Sequence, residues 1–283
     1  MQILSYKAYV EGSPYRASFP ETWNHLARPL DLFLQYFGSR EPDLLKQVYP
    51  ALLDRLRGFA SAERSVTGSG FLPEAFAALE ITEEHRQLLQ AQVDLQCGLL
   101  EVADRARTGE STINLSKIAF IRAQYLPQYL QLKALADASG KARGTELMKA
   151  CLDWEYMKGP SSPDAPGTID ELRIRQVEGN LRGEGMDWIA AVISEHEYRN
   201  KVTTCAIQKA LAKYGDSELM EVVACYPDFT MFRKLNPNFC LTRTTTLMGG
   251  GDCCDMCYHD ERYVPDFAHP SAEVFEAMQA DVA

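Results

Sequence analysis

The residues of this chain best suited to chemistry lie between Cys205 and Cys257. Six of the eight cysteines fall there (Cys205, Cys225, Cys240, Cys253, Cys254 and Cys257), interleaved with Asp228, Arg243 and Asp255. In a reducing compartment, such clustering points to catalysis or metal before disulfides. Cys205 falls in the first turn of a predicted helix, where the helix dipole and free N–H groups lower a thiol's pKa and favour the thiolate. The other reading is a small buried hydrophobe, the commoner fate of a free cysteine. Cys225 and Asp228 are three residues apart and share a helical face if the helix continues through Pro227. A thiol beside a carboxylate suits a nucleophile and a base.

Alternation carries the next part. A strand predicted over Phe239 to Leu247 puts Phe239, Leu241, Arg243, Thr245 and Leu247 on one face. Arg243 then sits among apolar neighbours, where arginine is rare unless paired. Its planar fork suits a carboxylate, either from a ligand or from the protein, with Asp255 or Asp228 as the internal partner. On the returning strand, Cys253 to Tyr258, the side chains of Cys254, Met256 and Tyr258 face one way. Those of Cys253, Asp255 and Cys257 face the other. Cys254 and Cys257 form a CxxC whose thiols diverge on a regular strand, which weakens a zinc or iron–sulfur reading.

These residues need a frame. The segment from Asp43 to Ala60 repeats apolar residues at helical spacing, and Thr82 opens a helix to about Arg107 with acids in its first turn. Ile113 to Ala136 reads as a helix kinked or divided at Pro127, and Ala142 to Tyr156 as another. The first 40 or so residues read as irregular; Tyr6, Tyr9 and Tyr15 are expected in the core. The run from Lys158 to Gly167 holds three prolines and two glycines and marks a loop or linker. Beyond it come a strand over Asp187 to Glu197, a helix over Thr203 to Tyr214 stopped by Gly215, and a second helix capped by Asp216 or Ser217. The strand hairpin turning at Gly249 to Asp252 closes the pattern. The expected fold is α+β: a mainly helical region, 1–157, followed by an antiparallel sheet with packed helices, 168–283, in one or two domains.

Bulk properties narrow the classes. The 283 residues are 46% hydrophobic and 24% charged, a globular composition, and the net charge of −10 argues against nucleic-acid binding. No apolar run approaches the roughly 20 residues of a membrane span. The N-terminus lacks the basic start and apolar middle of a signal peptide, so the expected location is cytoplasmic. The expected partners are a small-molecule substrate and, in an oligomer, copies of this chain or another.

From about Trp188 to His259 the chain resembles the L-2-amino-thiazoline-4-carboxylic acid hydrolase family. The resemblance rests on the Cys of Val202-Thr-Thr-Cys205, Lys209, Gly215, Glu218-Leu219, Cys225 with Asp228 three residues on, Arg243-Thr-Thr-Thr-Leu247, Gly249-Gly-Gly-Asp252 and Cys254-Asp255. Met256, where an aromatic residue usually follows, and the additional Cys240, Cys253 and Cys257 depart from the pattern.

The resemblance implies opening of the thiazoline ring of 2-amino-thiazoline-4-carboxylate to a carbamoyl-cysteine, on a bacterial biosynthetic route to cysteine. No cofactor and no metal are expected. The expected assignments put Arg243 on the substrate carboxylate, with Thr244 beside it. Asp228 or Asp255 holds the amidine and shuttles protons. Cys254 or Cys205, with Cys225 near, supplies a nucleophile unless water attacks directly. By their strand face, opposite Arg243, Thr244 and Thr246 read as sheet residues before ligands. Three other classes stay open: a relative that forms a ring, a non-catalytic module that binds a small ligand, and a metal or iron–sulfur protein.

Overall fold

The computed structural model describes residues 2–10, 14–62, 82–100, 112–158, 164–183 and 185–279. Contacts divide the chain into two compact units. One is Gly12–Leu152; the other joins Met1–Glu11 to Asp153–Ala283.

Strand β1 (Gln2–Lys7) opens the chain. The helical unit begins with β2 (Pro14–Ser18), which pairs antiparallel with β3 (Thr112–Ser116). Around this ribbon lie α1 (Phe19–Arg40), α2 (Pro42–Ala62), α3 (Glu83–Leu100), α4 (Lys117–Ser139) and the first part of α5 (Lys141–Met157). Helix α2 lies where apolar spacing predicts it, and α5 covers the helix expected over Ala142 to Tyr156. The first 40 residues are not irregular. They hold β1 and α1, in which Trp23, Leu26, Ala27, Leu30, Phe33, Leu34 and Phe37 are buried at helical spacing. Pro29 inside that run masks the pattern. The helix expected from Ile113 starts later: β3 takes the first residues, and Ser116 caps α4 by accepting from the Ala119 N–H. Residues 101–107, the end of another expected helix, and residues 159–163 of the linker at 158–167 lie outside the described residues.

Helix α4 runs through Pro127 as one element. Proline has no N–H, so the carbonyl four residues before it, that of Ala123, loses its helical donor. Gln96 of α3 fills the gap. Its side-chain amide donates to Ala123 O at 3.0 Å and to Leu26 O of α1 at 3.0 Å. Gln92 donates to the same Leu26 carbonyl at 3.2 Å and accepts from Gln131 of α4 at 3.4 Å. The three glutamines are buried. One polar cluster thus ties α1, α3 and α4 together in a largely apolar interior.

The second unit is built on a five-stranded antiparallel sheet. Its further elements are α6 (Ile169–Gly183), β4 (Met186–Ser194), β5 (Glu197–Cys205), α7 (Ala206–Leu211), α8 (Ser217–Ala224), α9 (Pro227–Leu235), β6 (Phe239–Thr242), β7 (Cys254–Asp260) and α10 (Ala272–Ala277). Strand order is β1-β4-β5-β7-β6. On one face Tyr198, Phe239, Leu241 and Tyr258 pack with Phe232 and with Ile169 and Leu172 of α6. Trp188, Ala190, Val202 and Cys254 form an adjoining cluster. The opposite face buries Ala191 and Cys257 under Phe275 and Met278. Tyr6 joins the second of these clusters, its ring stacked on Trp188 at 4.6 Å, while Tyr9 is half-buried under the Lys209 ammonium at 4.2 Å. The Tyr15 side chain lies outside the described residues.

The α+β architecture, with helices first and an antiparallel sheet after, is that expected. Two elements are corrected. Residues 203–205 extend β5, and the helix starts only at Ala206: the run Val202-Thr203-Thr204 is β-branched and favours a strand. Strand β6 stops at Thr242, so Arg243 to Leu247 form a loop. Among the described residues no helix is long and apolar enough to cross a membrane.

Replacing Gln96 by Leu leaves the Ala123 carbonyl without its substitute donor and takes one of two side-chain donors from the Leu26 carbonyl. The expected loss is about 1–3 kcal/mol of unfolding free energy, read as a lower urea midpoint. An unchanged midpoint would mean that the Pro127 gap needs no filling.

Candidate active site

Three chain turns converge on one charge pair. Arg243, the first residue after β6, donates from Nη1 to Asp228 Oδ2 at 2.9 Å and from Nη2 to the Cys225 carbonyl at 2.9 Å. Cys225 closes α8, and Asp228 sits in the first turn of α9, which Pro227 opens. Each charge therefore meets the helix end that favours it: cation at a C-terminus, anion at an N-terminus. Because Pro227 starts a new helix, Cys225 and Asp228 are brought together by a turn and not by one helical face. The guanidinium also lies over the Phe229 ring at 5.0 Å. Its side chain is only 6% exposed, while that of Asp228 is 30% exposed. Of the two internal partners open to Arg243 in the sequence, the structure uses Asp228.

Three thiols surround this pair. Cys205 ends β5 and caps α7; Cys225 follows α8; Cys254 starts β7 and accepts from the Leu247 N–H at 3.3 Å. Each lies close enough to feel the charges of the other two thiols or of the pair. Burial is the largest influence on all three. It pushes Cys254 up to about 12 and Cys225 higher still. At Cys205 burial also wins, although the N–H groups of Gln208 and Ile207 pull the other way. The helix N-terminus expected to activate Cys205 is present, but desolvation of a thiolate outweighs it. All three are neutral thiols at physiological pH.

Asp228 shares this environment. Burial raises its carboxyl above the ordinary carboxylate range, against the pull of Arg243. Solvent still reaches a third of its side chain, so it lines a recess and is not sealed in the core. Two tyrosines lie close enough to feel the Asp228 charge, and sequence reading missed both. Tyr156 of α5 is raised to about 12, by burial first and then by Glu155 and Asp228. Tyr258, fully buried on β7, is raised by burial first and then by Asp228. Asp153 holds this side of the recess by accepting from Tyr226 Oη at 2.9 Å and from the Thr230 hydroxyl. Cys254 and Tyr258 could have been found together, because both lie on the same alternating face of β7. The part of Tyr156 has no local sequence signal.

Asp255 and Thr244, expected on the substrate, are turned on each other. The Asp255 carboxylate accepts from the Thr244 N–H at 2.9 Å, the Thr245 N–H at 2.8 Å, the Thr244 hydroxyl and His269 Nε2 at 3.0 Å. It is 3% exposed. Backbone donors that a longer β6 would have given to a ladder go instead to this side chain, which is why the strand stops. Burial alone would raise the Asp255 carboxyl. The bonds from Thr244, Thr245 and His269 outweigh it and hold the carboxyl below its ordinary range. His269, absent from the sequence-based set, is itself fixed by Thr242 Oγ1 at 2.8 Å.

The rest of the loop is equally tight. Thr246 donates to Glu221 of α8 at 2.8 Å and accepts from the Gly249 N–H at 2.8 Å. Gly250 has φ +93°, a conformation open to glycine. A Cβ on Gly251 would lie 2.0 Å from Thr245 Oγ1. Cys253 is half-buried, and Cys254 and Cys257 pack on opposite sheet faces, so the CxxC does not converge.

The site residues from Cys205 to Tyr258 fall within one match. A family model described as L-2-amino-thiazoline-4-carboxylic acid hydrolase covers residues 128–258. That stretch, a little under half of the chain, is similar to this hydrolase family. Searches of the curated proteins and of the solved structures found no match. In the terms of this hydrolase-like family, the Cys-Asp pair has divided duties. Cys254 faces the recess and Asp255 grips the loop.

Two outcomes are expected. Gly251→Ala should cost about 1–3 kcal/mol by overpacking, while Gly179→Ala, with open space around it, should cost nothing; equal urea midpoints for the two variants would refute the tight loop. Asp255→Asn should be less stable than wild type at neutral pH. Because the folded carboxyl lies below its ordinary value, that advantage is present above about pH 4 and disappears only as pH falls through the lower folded value. Urea titrations at stepped pH should show a gap between the variants that holds down to about pH 4 and narrows below it; equal midpoints at neutral pH would mean that the carboxylate is no anchor.

Proposed function

We propose that this chain is a hydrolase that opens the C–N bond of a cyclic amidine in a small carboxylate, with 2-amino-thiazoline-4-carboxylate as the first candidate. The observation that carries the reading is Asp228, a recessed carboxylate with a raised pKa, held by Arg243 and faced by three neutral thiols. A carboxyl tuned upward is suited to move protons near neutral pH. The family match supports the reaction class.

In the proposed mechanism Asp228 takes a proton from water as the water oxygen bonds to C2 of the ring. The C2=N π electrons move to the ring nitrogen. Asp228 passes that proton to the ring nitrogen. The tetrahedral centre then collapses: Asp228 takes the proton of the new hydroxyl as the C2=O bond forms and the C2–ring nitrogen bond breaks, and it hands this second proton to the leaving nitrogen. The product is S-carbamoyl-cysteine with a free amine. Protonated thiols at Cys205, Cys225 and Cys254 favour this route over a thiolate nucleophile and leave the cysteines to shape the recess. Arg243 fixes Asp228, and its remaining N–H donors supply the positive charge that a substrate carboxylate would meet. Asp255 and Thr244 hold the loop that carries Arg243.

The test is incubation with 2-amino-thiazoline-4-carboxylate, followed by mass spectrometry and a thiol assay. Wild type should give S-carbamoyl-cysteine and no free thiol. Asp228→Asn should lower kcat by about 10²–10⁴. Cys254→Ser should keep most of the activity, and its complete loss would move the mechanism to a covalent intermediate. The acid limb of kcat/KM should lie above the ordinary carboxylate range of about 4, because Asp228 must be ionised to act as base, and its pKa is raised. No turnover by folded wild type would overturn this substrate.

A further inference from the structure

The face of β6 and β7 that points away from the recess carries a second constellation. Cys240 of β6 and His259 of β7 are direct cross-strand partners, and side chains so placed share one face. Glu261 follows at the end of β7, where its N–H donates to the Asn238 carbonyl at 2.9 Å and extends the pairing by one step. One donor atom from each of Cys240, His259 and Glu261 lies within 4.8 Å of the other two. No other such group exists among the described residues.

The imidazole is the informative member. His259 is 3% exposed and stacks on Phe267 at 4.2 Å, yet its buried Nδ1 has no hydrogen-bond partner. Buried polar atoms are nearly always satisfied, so one that is not calls for an explanation. Charge supplies a second. Arg233 of α9 brings Nη2 within 3.1 Å of Glu261 Oε1 and 3.6 Å of Cys240 Sγ. A cation thus already stands beside the two donors that become anions. Its side chain is 53% exposed on a long flexible stem, free to swing towards solvent and yield the place to another cation.

We propose that Cys240, His259 and Glu261 form a zinc-binding site. A thiolate, an imidazole and a carboxylate are the donor types zinc takes. One thiolate and one carboxylate balance its two charges. Three protein ligands leave the fourth position of a tetrahedral ion to water. The ion joins β6 to β7 at the end remote from the Gly249–Gly251 turn. The site is independent of the proposed hydrolase: it lies on the other sheet face, and two of its three ligands follow the end of the family match at residue 258.

The test uses the full chain, stripped of metal by a chelator and then given Zn²⁺ in competition with a chromophoric chelator, or Co²⁺ as a spectroscopic substitute. One ion should bind per chain, and Co²⁺ should show a thiolate charge-transfer band. Cys240→Ser should lose the band. Glu261→Gln, a change at a partly exposed side chain that leaves the fold intact, should weaken Zn²⁺ binding by about tenfold or more. Arg233→Ala should tighten it by removing the competing cation. Zn²⁺ should raise the melting temperature of wild type and not of Cys240→Ser. A wild type without the band, or a band that survives in Cys240→Ser, would overturn the proposal and leave Arg233 and Glu261 as a surface ion pair.

Discussion

An ion pair withdrawn from water organises this molecule's chemistry. Breaking a buried pair strands a charge and costs about 3–5 kcal/mol, whereas forming one gains little. The Arg243–Asp228 contact is therefore best understood as a geometric constraint and not as a source of stability. It fixes the end of β6 against the turn between α8 and α9, because the guanidinium needs both the Cys225 carbonyl and the Asp228 carboxylate. Once those segments are fixed, the thiols of Cys205, Cys225 and Cys254 have nowhere to go but the same recess. Their burial and the raised carboxyl of Asp228 are two results of one desolvated environment.

The two aspartates show how surroundings set a role. Both are carboxylates near Arg243 and the threonine loop, and both meet a burial penalty. Asp255 receives four donors and is held ionised; Asp228 receives one from Arg243 and is pushed towards its neutral form. The first is suited to hold a backbone in place. The second is suited to exchange a proton. The difference lies in the number of donors aimed at each.

Much of this arrangement was legible before any fold was known, and the failures have physical causes. Strand and hairpin signals placed Cys254, Asp255 and Tyr258 on the correct faces because alternation is a property of the backbone. The same alternation misled for Arg243 to Leu247, where an aspartate side chain outcompetes the strand partner for two N–H groups. Helix α2, with a plain apolar period, was readable, and α5, with a weaker one, less plainly so. Helix α1 was not, since Pro29 and its many aromatics obscure the repeat. Tyr156 and His269 reach the site region through tertiary packing alone. The raised thiol at Cys205 shows the same limit: sequence shows the helix end, but only the fold shows how much water is excluded.

Strand β7 sets Cys254 and Asp255 side by side in sequence and on opposite sides in space. The thiol that looks into the recess and the carboxylate that clamps the loop are therefore phase-locked. Inserting or deleting one residue before them would exchange their places, putting an anion among the thiols and a sulfur under the loop. Changes of length in the Gly249–Gly251 turn are tolerable only in steps of two residues, unless a bulge absorbs the odd one. A recess of this kind can change its size or lining over evolutionary time through α7, α8 and α9. The spacing from the glycines to the Cys-Asp pair is a ruler it has to keep.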